Sequence, residues 1–226
     1  MTLYPEPLPG EVAALIITDD QYVFRHRAGE RETLKFVSPA SVRAAFSHEP
    51  IDSGWLPCGT QRWGLGPAGH WAVLFIPAQT HPLLFNADPI VGGDSGVALL
   101  NVPLPPLAFM GHAAAYHIWA LGHNTFDPKA RVHHAPLPNV HPDGLVCFGA
   151  NLAPDAARIG QAWQLFLASP FNSDLASGKS KAQPNDVRTQ LRNLAANPRK
   201  TYPPRDLVPW TQTVDQAVEA MLRRSS

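Results

Sequence analysis

The sequence predicts an α+β fold in which an antiparallel sheet comes first and helices follow. Apolar runs of strand length mark the first part of the chain, most clearly residues 71–76 and 116–121. Beyond residue 150, apolar side chains recur at helical spacing instead, as Ile159, Trp163 and Phe166 do. The change of spacing separates a strand-rich part from a helical part, and no internal repeat is evident.

The N-terminal part is predicted to hold a hairpin and a short helix. Residues 12–18 and 21–27 are two strand-like runs separated by acidic residues, which is typical of paired strands. The helix begins with Ser38 as its cap and Pro39 as its first residue, and it reaches Phe46.

The central part is predicted to hold buried strands. The strand 71–76 ends at Pro77, and residues 83–85 are its candidate partner. The glycine-rich segment 92–96 is predicted as a loop. It lacks the preceding strand, the Lys and the following helix of a phosphate-binding loop.

Three amphipathic helices are predicted in the last part. The first lies between Pro154 and Pro170, and a polar, mobile loop is expected over 172–183. The apolar stripes of the three helices consist of Ile159, Trp163, Phe166 and Leu167, of Val187, Leu191 and Leu194, and of Val214, Val218 and Met221. Thr213 and Gln216 have the spacing of a capping box before the third stripe.

Composition excludes several classes of protein. Lys+Arg and Asp+Glu both number 18 in the 226 residues, so there is no global basic footprint for nucleic acid. The first residues lack a secretory signal pattern, and no apolar run reaches the ~18 residues of a membrane span. The two cysteines, Cys58 and Cys147, are too few for a disulfide framework. We therefore expect a cytoplasmic protein with free thiols.

The segment before Cys147 carries the clearest chemical signal. Asn139 stands eight positions before Cys147, and Gly144, a turn former, stands three before it. A thiolate can carry an acyl group, and a nearby Asn amide can donate a hydrogen bond to an oxyanion. Two plainer interpretations stay open: Cys147 is a buried structural thiol, or Asn139 only caps its own loop. Cys58 has no such context and is predicted to be structural.

This segment resembles the active-site segment of ubiquitin-conjugating enzymes, where a Pro-Asn pair, a turn Gly and the acceptor Cys keep the same spacing. It is most similar to the bacterial branch, prokaryotic family D, which is carried in mobile-element cassettes beside a ubiquitin-like protein and a ThiF-type activating enzyme. The residues that carry the resemblance are 135–140, 143–149 and 163–171.

The resemblance implies a ubiquitin-conjugating-enzyme-like fold with N- and C-terminal extensions. Residues 1–66 would form a strand-rich extension, 67–180 the core with its active-site segment at 135–149, and 181–226 a helical extension. It implies that Cys147 accepts a ubiquitin-like protein as a thioester from a ThiF-type activating enzyme and passes it to an amine of a target protein. The thioester already stores the activation energy, so no metal or other cofactor is expected on this chain.

Two features depart from the family pattern. Leu137 stands where members of the family in eukaryotes usually have His before Pro-Asn. The prolines Pro105 and Pro106, which resemble those before a central strand, are also unusually far from Asn139. An inserted hairpin around residues 116–121 would explain that distance.

Supporting roles are predicted for residues that flank the thiol. His133, His134 and His141 could be zinc ligands together with Cys147, or one of them could act as a base for its thiol, but no ligand pair has the spacing of a closed metal site. Asp143 could help deprotonate an attacking amine, or it could be a solvated turn residue. Two other functions stay open: a Cys-His hydrolase that uses Cys147 and His134, and a non-catalytic binding module.

Overall fold

The computed structural model describes residues 4–19, 21–29, 31–46, 58–66, 68–197 and 201–224. The described residues up to 46 belong to one compact unit, and those from 58 onward belong to a second. The architecture is mixed, with antiparallel sheets and few helices.

The first unit is a three-stranded antiparallel sheet followed by a helix. Its elements are β1 (Ala13–Ile17), β2 (Tyr22–Ala28), β3 (Arg31–Val37) and α1 (Pro39–Phe46). The predicted hairpin is confirmed, since β1 pairs with β2 from Ala13↔His26 to Ile17↔Tyr22. The helix begins as predicted, because the Ser38 hydroxyl accepts a hydrogen bond of 3.0 Å from the Ser41 amide.

The second unit is built on a six-stranded antiparallel sheet. The strands of this unit are β4 (Thr60–Gly66), β5 (Gly69–Ile76), β6 (Gln79–Asp88), β7 (Gly92–Leu104), β8 (Leu107–His112), β9 (Ala115–Leu121), β10 (Arg131–His134) and β11 (Pro209–Thr213). Its helices are α2 (Ile159–Ala168), α3 (Val187–Ala196) and α4 (Val214–Arg224). The sheet has the order β11-β10-β9-β8-β5-β4, and β6 and β7 form a separate two-stranded sheet. β4 lies within residues 1–66, which were predicted to form an N-terminal extension, yet it pairs along β5 of the predicted core. The division of the chain into extensions and core stays a prediction.

Two predictions for the central strands are wrong, and a third is confirmed in part. Residues 83–85 do not pair with β5 but with β7, because β5 is already paired with β4 on one side and β8 on the other. Residues 92–96 belong to the start of β7 and not to a loop. The strand predicted at residues 116–121 is confirmed, since they lie in β9, which pairs with β8 as a hairpin inside the main sheet. That this hairpin is an insertion stays a prediction, and the β6–β7 hairpin forms a separate sheet.

The central strands β8 and β9 of the main sheet are buried on both faces, which explains their continuous apolar runs. In β8, Leu107 and Phe109 join one core cluster with residues of α2 and α3. Ala108 and Met110 point the other way and join a second cluster with α4. Each of the four is at most 1% exposed.

The three predicted helices are confirmed. The stripe of α4 is buried, and its capping box is formed by two reciprocal hydrogen bonds between Thr213 and Gln216, of 3.0 and 3.3 Å. No helix within the described ranges is long and apolar enough to cross a membrane. Residues 172–183 form no helix or strand, as predicted, but Lys179 and Ser180 within them are buried.

Candidate active site

Residues 139–147 form a tight hairpin, and this hairpin explains the spacing of the motif. Val140 and Val146 make an antiparallel bridge, and the Cys147 amide donates to the Asn139 carbonyl at 2.8 Å. The turn is closed by the Gly144 amide, which donates to the His141 carbonyl at 2.9 Å. This register places Asn139 directly opposite Cys147, so the eight-residue spacing brings these two residues to the same end of the hairpin.

The hairpin is fixed to the first half of β9. The Ile118 amide donates to the Gly144 carbonyl at 2.9 Å, and the Val146 amide donates to the Tyr116 carbonyl at 2.8 Å. The second half of β9 pairs with β10. The candidate site is therefore attached through backbone hydrogen bonds to a central strand of the sheet.

Gly144 is required at the turn for two reasons. Its φ of +90° is a conformation that L residues rarely adopt, and a Cβ there would lie 2.7 Å from Trp119 Nε1. Gly144→Ala should therefore lower the free energy of unfolding by about 2–4 kcal/mol, from backbone strain and overpacking together. Denaturant titration measures this change.

Gly149 supplies the matched control for Gly144. Its φ is +63°, but a Cβ there would meet nothing within 4 Å. Gly149→Ala should cost only the backbone strain, about 1–2 kcal/mol. Equal losses of stability in the two variants would contradict a packing role for Gly144.

Cys147 is exposed between two buried anchors. Val146 is 7% exposed and Phe148 is 9% exposed, whereas Cys147 is open to solvent. The Phe148 ring packs edge-on against Tyr116 and Phe166, with ring centroids 5.5 and 6.0 Å apart. A thiol held in this way is accessible without being mobile, so the alternative of a packed structural Cys147 is wrong.

Asn139 adopts a left-handed backbone conformation with φ of +57°, which Asn tolerates better than most residues. Its backbone makes both of its hydrogen bonds, because its amide donates to the Asp174 carbonyl at 3.0 Å and its carbonyl accepts from Cys147. Its Oδ1 is buried and has no hydrogen-bond partner among the described residues. The loop is thus held by the backbone of Asn139, and its side-chain amide is not used for that purpose.

The polar loop after α2 supports the hairpin. Besides Asp174, this loop contributes Lys179, whose Nζ donates a hydrogen bond to the Val140 carbonyl. Lys179 is only 3% exposed, and burial lowers its pKa to about 7. The neutral amine still donates to the carbonyl, so this contact survives deprotonation.

The depressed pKa of Lys179 predicts a pH dependence of stability. Between pH 7 and about 10 the unfolded chain binds the Lys179 proton and the folded chain does not, so stability should rise with pH by at most ~1.4 kcal/mol per unit. Lys179→Met should remove this rise, and denaturant titrations at pH 7, 8 and 9 measure it. Identical slopes in the variant and the parent would contradict the prediction.

The predicted supporting residues His134, His141 and Asp143 have different surroundings in the structure. The His134 ring packs on Trp210, with centroids 4.7 Å apart, and its pKa is lowered by burial and then by Lys179. Within the described residues no hydrogen bond or ring contact joins His134 to Cys147, so nothing here favours a Cys-His hydrolase. His141 is exposed and contributes backbone hydrogen bonds to the turn. The Asp143 carboxylate accepts from the Leu145 amide at 3.1 Å and so shapes the turn.

Two other candidate residues, Cys58 and His133, have surroundings of their own. Cys58 is exposed, not buried as a structural cysteine would be. His133 is half-buried with its pKa lowered by burial, and its Nδ1 has no partner within the described ranges. Those ranges contain no group of three or more His, Cys, Asp or Glu that could hold a metal ion. That the protein works without metal stays a prediction.

Sequence reasoning missed the contributions of Asp174 and Lys179. Both belong to a loop rich in Gly, Ser and Lys, a composition typical of solvated segments. Leu137, at the position of the family's usual His, is fully buried in the main core cluster, so it supports the loop by packing. No local pattern distinguishes a buried loop Lys from an exposed one.

Comparison with known proteins supports the resemblance. The family model of prokaryotic E2 family D matches residues 33–210, where E2 denotes the ubiquitin-conjugating type of protein. Comparisons with curated proteins and with solved structures find no match. The matched range contains the whole 139–147 hairpin, the supporting loop and α2 and α3. The chain belongs to prokaryotic E2 family D.

Proposed function

We propose that this protein is a cysteine-dependent carrier of a ubiquitin-like protein. Membership of prokaryotic E2 family D relates the chain to ubiquitin-like conjugation and to the components of such pathways. The observation that carries the finer proposal is the exposed thiol of Cys147 opposite Asn139, on a hairpin fixed to the sheet.

In the first step the Cys147 thiolate attacks the thioester carbonyl that joins the ubiquitin-like protein to its activating enzyme. A new C–S bond forms at Cys147, and the thiolate of the activating enzyme leaves. The exposure of Cys147 supports this step because both partners are proteins and must reach the sulfur.

In the second step an amine of the target attacks the Cys147 thioester. The tetrahedral intermediate carries an oxyanion, and its nitrogen loses one proton to solvent. Collapse of the intermediate then breaks the C–S bond, expels the Cys147 thiolate and leaves an amide. The Nδ2 group of Asn139 is our candidate donor to that oxyanion, because the loop is held by the backbone of Asn139 and not by its side chain. Asp143 and His141 support the turn in this proposal and do not act as a base.

We also propose that the fold is of the ubiquitin-conjugating type. The strands β4, β5, β8 and β9 form an antiparallel meander in the sheet, followed by the candidate site and α2. The sequence resemblance extends to the PRTRC system protein B, so the proposed partners are a ubiquitin-like protein and a ThiF-type activating enzyme in the cytoplasm.

Reconstitution tests the proposal. The protein is mixed with a ThiF-type enzyme and a ubiquitin-like protein from the same genome and with ATP, and the products are separated on gels with and without reducing thiol. We expect an adduct whose mass is the sum of the two proteins and which disappears on reduction. Stable noncovalent binding without any adduct would instead support a binding module.

A further inference from the structure

An open cleft lies apart from Cys147, between α3 and the segment that precedes β11. It has a volume of about 650 Å³, which is within the usual size of ligand sites. Polar groups line much of it, and its apolar part includes Leu194 and Pro203. The function proposed for Cys147 does not use this cleft.

Two cations at the cleft form no ion pair within the described part of the chain. Lys181 and Arg205 both line the cleft and are exposed. The one carboxylate in the lining, that of Asp206, faces inward and accepts hydrogen bonds from Ser180 Oγ and the Ala182 amide at 2.8 and 2.7 Å and from Tyr202. The cleft therefore presents positive charge.

Two side-chain amides also line this cleft. Gln190 of α3 is nine-tenths buried and lines the cleft, yet its side chain makes no hydrogen bond in the part of the chain described. Asn193, one turn further along α3, adds a second amide to the lining. The polar atoms of Gln190 are not among the buried atoms that lack a partner, so they are open to the cleft and can bond a ligand there.

The wall of the cleft is pre-formed. The hydrogen bonds of Asp206 fix residues 180–182, and the Lys181 amide donates to the Asp206 carbonyl at 3.0 Å. Lys181 and Arg205 therefore project from a segment whose backbone is already held. Little ordering of the backbone is needed when a ligand binds, which favours affinity.

We propose that this cleft binds an extended acidic peptide segment of a partner protein. Lys181 and Arg205 would pair with its carboxylates, and the amides of Gln190 and Asn193 would bond its backbone. Peptide fits better than single-stranded nucleic acid because no aromatic ring is among the described lining residues, and such rings are the usual platforms for bases. The proposal is independent of thioester chemistry at Cys147.

NMR titration of the isotope-labelled full chain tests the proposal. The probes are a panel of capped hexapeptides that carry glutamates at varied positions, with glutamine versions as neutral controls. We expect saturable shifts of the Gln190 and Asn193 side-chain amides with acidic probes only. Lys181→Ala with Arg205→Ala should weaken binding roughly five- to tenfold.

Control variants test whether binding depends on the charges of the cleft. Lys129→Ala with Arg131→Ala removes the same charge from exposed positions outside the cleft lining and should leave binding unchanged. Cys147→Ala should also bind normally, even if the proposed conjugating function fails. The proposal is overturned by no amide shift at about 5 mM probe, where a millimolar Kd would show. It is also overturned by equal binding of neutral probes, or by tighter cleft binding of a single-stranded oligonucleotide.

Discussion

Cys147→Ala is expected to abolish the thiol-sensitive adduct with the ubiquitin-like protein completely. The acceptor sulfur is removed, and no neighbouring group can form the same bond. Cys147→Ser should convert the adduct into an ester that resists reducing thiol but is cleaved by strong base, because a hydroxyl replaces the thiol as acceptor. Gels run after treatment with thiol or with base distinguish the two linkages.

Cys58→Ala is the control for this prediction. Cys58 and Cys147 are both exposed, so solvent access alone does not separate them. Only Cys147 lies opposite Asn139 on the hairpin fixed to β9. Retention of the thiol-sensitive adduct in Cys147→Ala, or its loss in Cys58→Ala, would refute the assignment of the acceptor.

Removal of the Asn139 amide is expected to slow discharge of the thioester to an amine by about 10²–10³-fold, which is typical for loss of one oxyanion donor. Asn139→Gly is the informative change because glycine adopts the φ of +57° without strain. Its backbone can still donate to Asp174 and accept from Cys147. Single-turnover discharge to free lysine measures the rate, and loading from the activating enzyme should fall much less.

Two further substitutions test whether Asn139 is only structural. Asn139→Asp keeps the size of the side chain and removes its N–H donor, so discharge should be as slow as in Asn139→Gly. Asn139→Ala adds backbone strain of about 1–2 kcal/mol and should therefore also lower the melting temperature. Equal losses of loading and discharge in Asn139→Gly, with lower stability, would assign Asn139 a structural role.

Structural features that depend on residues close together in the sequence could be predicted. The period of apolar residues defined α2, α3 and α4, because each helix buries one stripe. Thr213 and Gln216 specify the start of α4 through contacts only three residues apart. The proximity of Asn139 to Cys147 could also be predicted, because the turn at Gly144 determines which residues of the hairpin lie opposite each other.

Features that depend on distant partners were not predictable. Residues 83–85 look like a partner for β5, but pairing of that strand is decided by β4 and β8. The environment of Lys179 is likewise set by Val140, which lies 39 positions earlier, and no pattern around Lys179 reveals that contact. Long-range hydrogen bonds of this kind leave no periodicity in the sequence.

The anchoring of the 172–183 loop has a consequence for biosynthesis. Asn139 and Val140 are bonded by Asp174 and Lys179, and the adjoining Ser180 and Ala182 are bonded in turn by Asp206. The Cys147 hairpin can pair with β9 as soon as both have left the ribosome, but its supporting loop must wait until residue 206 has emerged. During translation the Cys147 hairpin should therefore form before the site is fully held in place, and a nascent chain stalled before residue 206 should carry a more loosely held hairpin.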